Sequence, residues 1–208
     1  MRDALRAGIA IYNDGYYHAA HDAWEAHWLD LEAGTDDERL LHGLIQFTAT
    51  IHHARNRNWT GATGLAASAH EYLEDLPAEY RRIDVAAVRR SLRTLASDPE
   101  VIERRRPPAL EHAGAALELA DLDLEATFLA AGVLAEEFGY DETVLEDAVA
   151  FARADLEAER ATSRFLALVQ DFVRESADRA LVYDRLSAHV ERRRAKRRDV
   201  EGLFDPDL

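Results

Sequence analysis

The sequence predicts an all-α fold in which a helical bundle is followed by a second set of helices. Residues that interrupt helices are few, with 5 Pro and 10 Gly in 208 residues. Runs in which Val, Ile or Thr alternate with polar residues, the usual sign of a half-buried strand, are missing from the sequence. Hydrophobic residues make up 48% of the chain, which is enough to form a core.

Five helices are predicted in the first half, each from an apolar repeat bounded by turn or capping residues. We expect Asp3 to cap the first helix, Thr60 the fourth and Asp84 the fifth, because their side chains can accept hydrogen bonds from the first free amides of a helix. The expected ranges are 3–13, 16–31, 37–56, 60–76 and 84–96.

A boundary between two halves is predicted at 98–108, DPEVIERRRPP, where proline and charge combine with few apolar residues. We therefore expect a first domain over 1–97, a linker over 98–108 and a helical region over 109–208. Gly139 and Asp141 are expected to end one helix and cap the next. The helices of this second half are predicted near 123–138, 141–159, 162–175 and 177–198.

The charge balance limits the classes of partner. Acidic residues outnumber basic ones 40 to 25, which gives a formal net charge of −15. Such a surface repels nucleic acid and anionic membranes. Lys196 is the only lysine, so the other basic residues are arginines. This bias suggests a halophilic protein, although a GC-rich genome also favours arginine over lysine.

The chain contains no Cys, which excludes disulfides and zinc fingers. Neither a targeting segment nor a membrane span is visible, so we expect a cytoplasmic protein without membrane contact. The sequence leaves its partners unknown and a homo-oligomer open.

The most informative stretch is HAAHDAWEAHW, residues 18–28, within the first 70 residues that hold seven of the nine His. On a helix, His21 and Glu25 share one face with three aromatic residues. These are Tyr17, Trp24 and Trp28. A His and a carboxylate on such a face need a hydrogen-bonding partner, water or a metal ion.

The third helix supplies candidate partners, because His42, Gln46, Ala49 and His53 line one stripe and its other faces are apolar. This helix is therefore expected at the centre of the first half. Folding helices two and three back about the intervening Gly34 brings Gln46 near His21 and Glu25. His53 falls about 9 Å further along the axis at about 1.5 Å per residue. The predicted cluster is His21, Glu25 and Gln46, with His53 as a further candidate ligand and Trp24 and Trp28 excluding water.

These residues resemble the DUF309 family, whose hallmark is His-x3-Glu-x2-Trp, here His21, Glu25 and Trp28. Flanking features agree with the resemblance over roughly the first 75 residues. They are Gly15-Tyr16-Tyr17, Ala20, Gly43-Leu44-Ile45-Gln46, His53, Asn58 and Gly61-Ala62. The resemblance implies an all-helical fold and a metal-binding motif without a known activity. Asp22 stands where the family usually has Glu, and Arg57 where it commonly has Gly.

Three functional hypotheses follow. The first is a non-catalytic structural or interaction module in which His21, Glu25 and Gln46 form an architectural polar network. The second is a metal-dependent, hydrolytic enzyme that uses the motif with zinc, iron or manganese.

The third hypothesis is a nucleic-acid adaptor that uses the basic run Arg192–Arg198, which we expect instead to complement a helix end and pair with the protein's own acidic surface. Arg55 and Asn58 are candidates for holding an anion at the start of the fourth helix, although turn formation and capping also account for them.

Overall fold

The all-α fold is confirmed by the computed structural model, which describes residues 1–174 and 177–202. In this part of the chain ten α-helices occur with four strands of two residues each. Contacts within the chain divide it into two compact units, 1–133 and 134–208. None of the helices in the described part is long and apolar enough to cross a membrane.

The first unit contains the predicted bundle. Its helices are α1 (Arg2–Asn13), α2 (Tyr17–Trp28), α3 (Asp36–Arg55), α4 (Trp59–Glu74), α5 (Val85–Ser97) and the short α6 (Val101–Arg104). Helix α3 packs against both α2 and α4, and it is central, as its apolar faces predicted. Its side chains Leu40, Leu44, Phe47 and Ile51 are fully buried.

The helix caps agree only in part with the sequence prediction. Asp84 accepts a hydrogen bond from the Ala87 amide at 2.7 Å and caps α5 as expected. The predicted caps of α1 and α4 were wrong, because Asp3 lies inside the first turn of α1 and α4 begins one residue before Thr60. The cap of α4 is Asn58, whose Oδ1 accepts from the Gly61 amide at 3.0 Å.

A small antiparallel sheet lies beside the helices of this unit. It consists of β1 (Glu79–Tyr80), β2 (Ile83–Asp84), β3 (Glu111–His112) and β4 (Ala115–Ala116), in that order across the sheet. The two hairpins are joined through the pairing of Ile83 with His112. Strands of two residues are too short for an alternating sequence pattern, so the sequence did not indicate them.

The segment that follows α6 returns to α1. The Tyr12 hydroxyl donates to the Pro108 carbonyl at 2.9 Å. The Asn13 side chain donates through Nδ2 to the backbone carbonyls of Leu110 and Leu117, each at 2.9 Å. Its Oδ1 accepts from the Leu110 backbone N–H at 2.8 Å. The division of the chain by contacts thus lies beyond the predicted linker at 98–108. Independent folding of 1–97 stays a prediction.

Helix α7 (Leu124–Glu137) crosses the border between the units, and the second unit then holds α8 (Glu142–Glu157), α9 (Arg164–Arg174) and α10 (Arg179–Gly202). The predicted stop and cap are confirmed, since Gly139 has a positive φ of 69° and Asp141 Oδ1 accepts from the Thr143 amide. Arg179 is only 4% exposed and donates to the Phe172 carbonyl at 2.9 Å near the end of α9.

Candidate functional site

A buried carboxylate organises the junction of α2 and α3. Glu38 is 9% exposed and lies in the first turn of α3. One of its oxygens, Oε1, accepts from Trp28 Nε1 at 2.9 Å, and the other accepts from the Gly34 amide at 3.2 Å. Helix α2, the connection and helix α3 are therefore tied together through one side chain.

His42 extends this arrangement along α3. Its Nδ1 lies 3.1 Å from Glu38 Oε1, and its Nε2 lies 3.1 Å from Gln46 Nε2. Both ring nitrogens of His42 thus lie at hydrogen-bonding distance from side chains of the same helix. Trp28, Glu38, His42 and Gln46 are called the α3 network below.

Aromatic rings enclose the imidazole of the α3 network. The Tyr72 ring of α4 stacks on His42 with 3.8 Å between ring centroids, and the Trp28 ring lies 4.6 Å away. The network thus touches α2, α3 and α4, the helices that form the centre of the first unit. At its far end Gln46 Oε1 is buried without a hydrogen-bond partner among the described residues.

The environment of Glu38 favours its charged form. Burial raises the pKa of this carboxyl, but the hydrogen bonds from Trp28, the Gly34 amide and His42 outweigh burial. The pKa of Glu38 therefore lies below its ordinary value. A carboxylate that accepts several hydrogen bonds is stable in its charged form, whereas a protonated carboxyl group would lose part of these bonds.

A second polar group lies on α2 and contains the motif residues His21 and Glu25 together with Asp22. One possible ligand atom from each of these three side chains lies within 4.8 Å of the other two, and all three residues are half-buried. His21 Nδ1 is 2.8 Å from Asp22 Oδ1, and His18 Nδ1 is 3.2 Å from Asp22 Oδ2. His21, Asp22 and Glu25 are called the α2 triad below.

The contact between His21 and Asp22 shifts the pKa of both residues. The hydrogen bond with Asp22 raises the pKa of His21, and it does so against burial, which lowers it. Burial raises the pKa of Asp22, but the contacts with His21 and His18 outweigh burial, so that the pKa lies below its ordinary value. The pair is therefore stabilised in its charged form.

The residues that the sequence predicted to share one cluster are distributed over several. His21 and Glu25 lie together in the α2 triad, whereas Gln46 bonds to His42 and His53 Nδ1 lies 2.7 Å from Asn58 Nδ2. The two tryptophans also separate, because Trp28 bonds to Glu38 while Trp24 packs against α1 and lies 3.4 Å from the Leu5 carbonyl.

Tyr17 and Arg55 form a further contact, with the Arg55 guanidinium 5.3 Å from the Tyr17 ring centroid. Arg55 is exposed. Asn58, the other candidate for anion binding, is engaged in capping α4. Of the two predicted anion-binding candidates, Arg55 is therefore the one whose donors face solvent.

Sequence reasoning missed two residues of these groups, Glu38 and Asp22, and it named His42 as a candidate partner without assigning it a role. Glu38 and His42 belong to the set Glu38, His42 and Gln46, whose spacing of four along α3 was a usable signal. The prediction used the part of that stripe from His42 onwards, although Glu38 stands four residues before His42. Asp22 is a conservative replacement in the family motif, although its place beside His21 and four residues after His18 was a second usable signal.

The C-terminal basic run makes several contacts within the second unit. Arg193 Nη1 lies 3.0 Å from Asp155 Oδ1, and its guanidinium lies 5.2 Å from the Phe151 ring centroid. Arg194 pairs with Asp147 and donates to the Thr143 carbonyl. These arginines are engaged with the acidic side of α8, in the manner expected from the net charge of the chain.

Comparison with known proteins agrees with the motif. No curated protein matches the sequence. Residues 5–65, from within α1 to the second turn of α4, match the model of the family described as a domain of unknown function, DUF309. The resemblance indicated by His21, Glu25 and Trp28 is thereby confirmed, and this segment is similar to the DUF309 family.

Proposed function

We propose that the first unit is a non-catalytic structural or interaction module in which the α3 network fixes how α2, α3 and α4 pack. The observation that carries this proposal is the burial of Glu38 with donors from Trp28, the Gly34 amide and His42. A buried carboxylate is tolerated only where such donors replace water, so the correct helix arrangement is the one that supplies them.

The hydrogen bonds and ring contacts of His42 support an architectural role for the α3 network. Both ring nitrogens of His42 are engaged inside the protein, and its ring faces Tyr72 and Trp28. A histidine held in this way has no free nitrogen with which to exchange protons with a substrate. The function assigned to this network is therefore to select one packing of three helices.

The test compares Glu38→Gln with Glu71→Gln, which changes an exposed glutamate of α4. The amide group introduced at position 38 would direct its own donors at the existing donors, so we expect Glu38→Gln to lower the free energy of unfolding by about 1–3 kcal/mol. The control should stay within about 0.5 kcal/mol of the wild type. Both are measured by urea denaturation.

A double-mutant cycle with Trp28→Phe adds specificity to this test, because that substitution removes the indole N–H and keeps an aromatic ring. We expect a coupling between positions 28 and 38 of about 0.5–3 kcal/mol. Stability equal to that of the control, or a coupling of zero, would contradict the architectural proposal.

A second candidate function is binding of a divalent metal ion by the α2 triad, which a hydrolytic enzyme could use. One imidazole nitrogen and two carboxylate oxygens suit zinc, iron or manganese. Three ligands from one helix leave coordination positions for water or substrate. The support for this candidate is the approach of His21, Asp22 and Glu25 in the structure.

The metal proposal is tested by elemental analysis of the purified protein and by calorimetric titration with Zn²⁺ and Mn²⁺. We expect Glu25→Gln and Asp22→Asn to weaken binding at least tenfold without unfolding, and Asp30→Asn, an exposed control, to leave it unchanged. Binding should strengthen as pH rises through the raised pKa of His21, because metal and proton compete for the imidazole. Equal affinity in all variants would exclude the triad as the site.

The nucleic-acid adaptor has less support. Arg193 and Arg194 of the basic run pair with acidic residues of α8, so part of its charge is neutralised within the chain. Phosphate contacts by these side chains would have to replace existing ion pairs.

A further inference from the structure

An arginine-rich cleft opens beside α1, at the place where α6 and the segment after it lie near the end of α3. Its volume is about 940 Å³. The lining includes Tyr12, Asn13 and Tyr17 from the first two helices, Arg55 from α3 and the consecutive residues Arg104, Arg105 and Arg106. Four arginines thus line one concave surface of a chain with a net charge of −15.

Two carboxylates near this cleft are already paired with arginines. Glu103 Oε1 lies 2.9 Å from Arg57 Nε, and Asp98 pairs with Arg104. Within 1–174 and 177–202, no carboxylate forms an ion pair with Arg55, Arg105 or Arg106. Asp14 is the remaining lining carboxylate without an ion pair in that part of the chain. Three unneutralised cations therefore face one acidic group.

Arg57 has a special position in this arrangement. It has a positive φ of 57°, a conformation that favours glycine, and its side chain reaches Glu103 from the turn after α3. Glu103 is thus paired with Arg57 at the border of the cleft, and among the described residues it forms no ion pair with Arg105 or Arg106.

The geometry around Arg55 suits recognition of an anion. Its guanidinium carbon lies over the Tyr17 ring, 5.3 Å from the ring centroid, in a cation–π contact that holds the charged group beside the cleft. Arginine donors of this kind bind phosphate oxygens in pairs. The volume exceeds what a phosphate group fills and lies in the range of sites for small organic ligands.

We propose that this cleft binds a small molecule carrying a diphosphate ester, with Arg55, Arg105 and Arg106 holding the phosphates and the rest of the cleft accommodating an organic group. The three cations match the charge of a diphosphate. A small anion can enter a concave basic site, whereas the acidic surface around it repels a nucleic-acid polymer. This inference is independent of the α3 network and of the α2 triad.

Calorimetric titration with ADP and with inorganic pyrophosphate tests the proposal, because the two probes carry similar charge and differ in the organic group. The experiment is done at a KCl concentration at which circular dichroism shows every variant to be folded. We expect saturable binding of both probes, with ADP at least threefold tighter. Pyrophosphate binding as tightly as ADP would overturn the organic part of the proposal.

The double variant Arg105→Gln/Arg106→Gln should weaken the binding of both probes at least tenfold. Its control is Arg174→Gln/Arg185→Gln, which removes the same charge from exposed positions of α9 and α10. The control should bind within twofold of the wild type. Equal weakening in both double variants would mean that net charge and not the cleft attracts the anion, and it would overturn the proposal.

Arg55→Gln provides a second variant that leaves the segment after α6 intact, and it should also weaken ADP binding several-fold. Absence of saturable binding of either probe to the wild type at millimolar concentration would overturn the proposal.

Discussion

Gly8 of α1 lies directly against the Trp24 ring of α2. A Cβ atom at this position would lie 2.1 Å from Trp24 Nε1, and the Trp24 ring is fully buried. We expect Gly8→Ala to lower the free energy of unfolding by about 1–3 kcal/mol through overpacking. Gly64→Ala is the matched control, because nothing lies within 4 Å of its Cβ position in α4.

The control variant Gly64→Ala should not lower the free energy of unfolding. Alanine is favoured over glycine by about 0.5–1 kcal/mol inside a helix, so Gly64→Ala should be neutral or stabilising. Urea denaturation of both variants gives the comparison. Equal stability of the two would show that Trp24 does not require the missing side chain at position 8.

Glu38 gives the stability a defined dependence on pH. Its pKa is lowered in the folded protein, so its contribution is present above the pKa of the unfolded chain and is lost as pH falls through the folded-state value. The stability difference between the wild type and Glu38→Gln should therefore be largest near pH 7 and shrink below about pH 4. A difference that is constant from pH 7 to pH 3 would contradict this assignment.

His21 should titrate in the opposite sense. Its pKa is raised, so the ion pair with Asp22 contributes at low pH and is lost as pH rises through the folded-state pKa. An NMR titration should place the pKa of His21 above 6.5, and Asp22→Asn should lower it. His27 provides an internal reference, because burial lowers its pKa.

At the scale of the helix, Asn58 should contribute to the start of α4. Asn58→Ala removes the acceptor of the Gly61 amide, and we expect a loss of about 1 kcal/mol in unfolding free energy. Thr60→Ala alters the residue that the sequence pattern favoured as the cap, which lies one residue inside the helix. Thermal melts should show the larger loss for Asn58→Ala, and the reverse order would contradict the observed cap.

Helices could be predicted from the sequence because each carries its own signal over many residues. The apolar faces of α3 and the Gly139 and Asp141 pair gave positions that the structure confirms. The sheet could not be predicted in this way, since α5 and α6 lie between the paired residues Ile83 and His112 in the sequence and each strand has two residues.

The candidate site was predictable only within single helices. Spacing along α2 brought His21 and Glu25 onto one face, and the structure places them together. The partner of Gln46 could not be predicted by counting residues back from the turn between α2 and α3, because such a count gives the level along the helix and not the direction of the side chain. His42, four residues before Gln46 on the same helix, was nearer than either of the partners predicted on α2.

For the whole molecule, the excess of acidic residues predicts a response to salt. With 40 acidic and 25 basic residues, repulsion in the folded state should weaken as KCl screens it. We expect the melting temperature to rise between low and molar KCl. Sucrose is the control, because it favours the compact state without screening charge.

An equal rise of the melting temperature in sucrose would show that the effect comes from exclusion of solute from the protein surface. A melting temperature that is constant or falls with KCl would contradict the halophilic interpretation.

The contacts of Asn13 also bear on the order in which the protein folds during synthesis. The helix that contains Asn13 leaves the ribosome before the segment that holds Leu110 and Leu117, whose carbonyls the Asn13 side chain binds. Because domains fold from the amino terminus as they emerge, a nascent chain that ends before Leu110 has its bundle helices but not these partners. We therefore expect the Asn13 side chain at the end of α1 to stay hydrated until the second hairpin has been translated. The packing of the first unit is then completed late in synthesis.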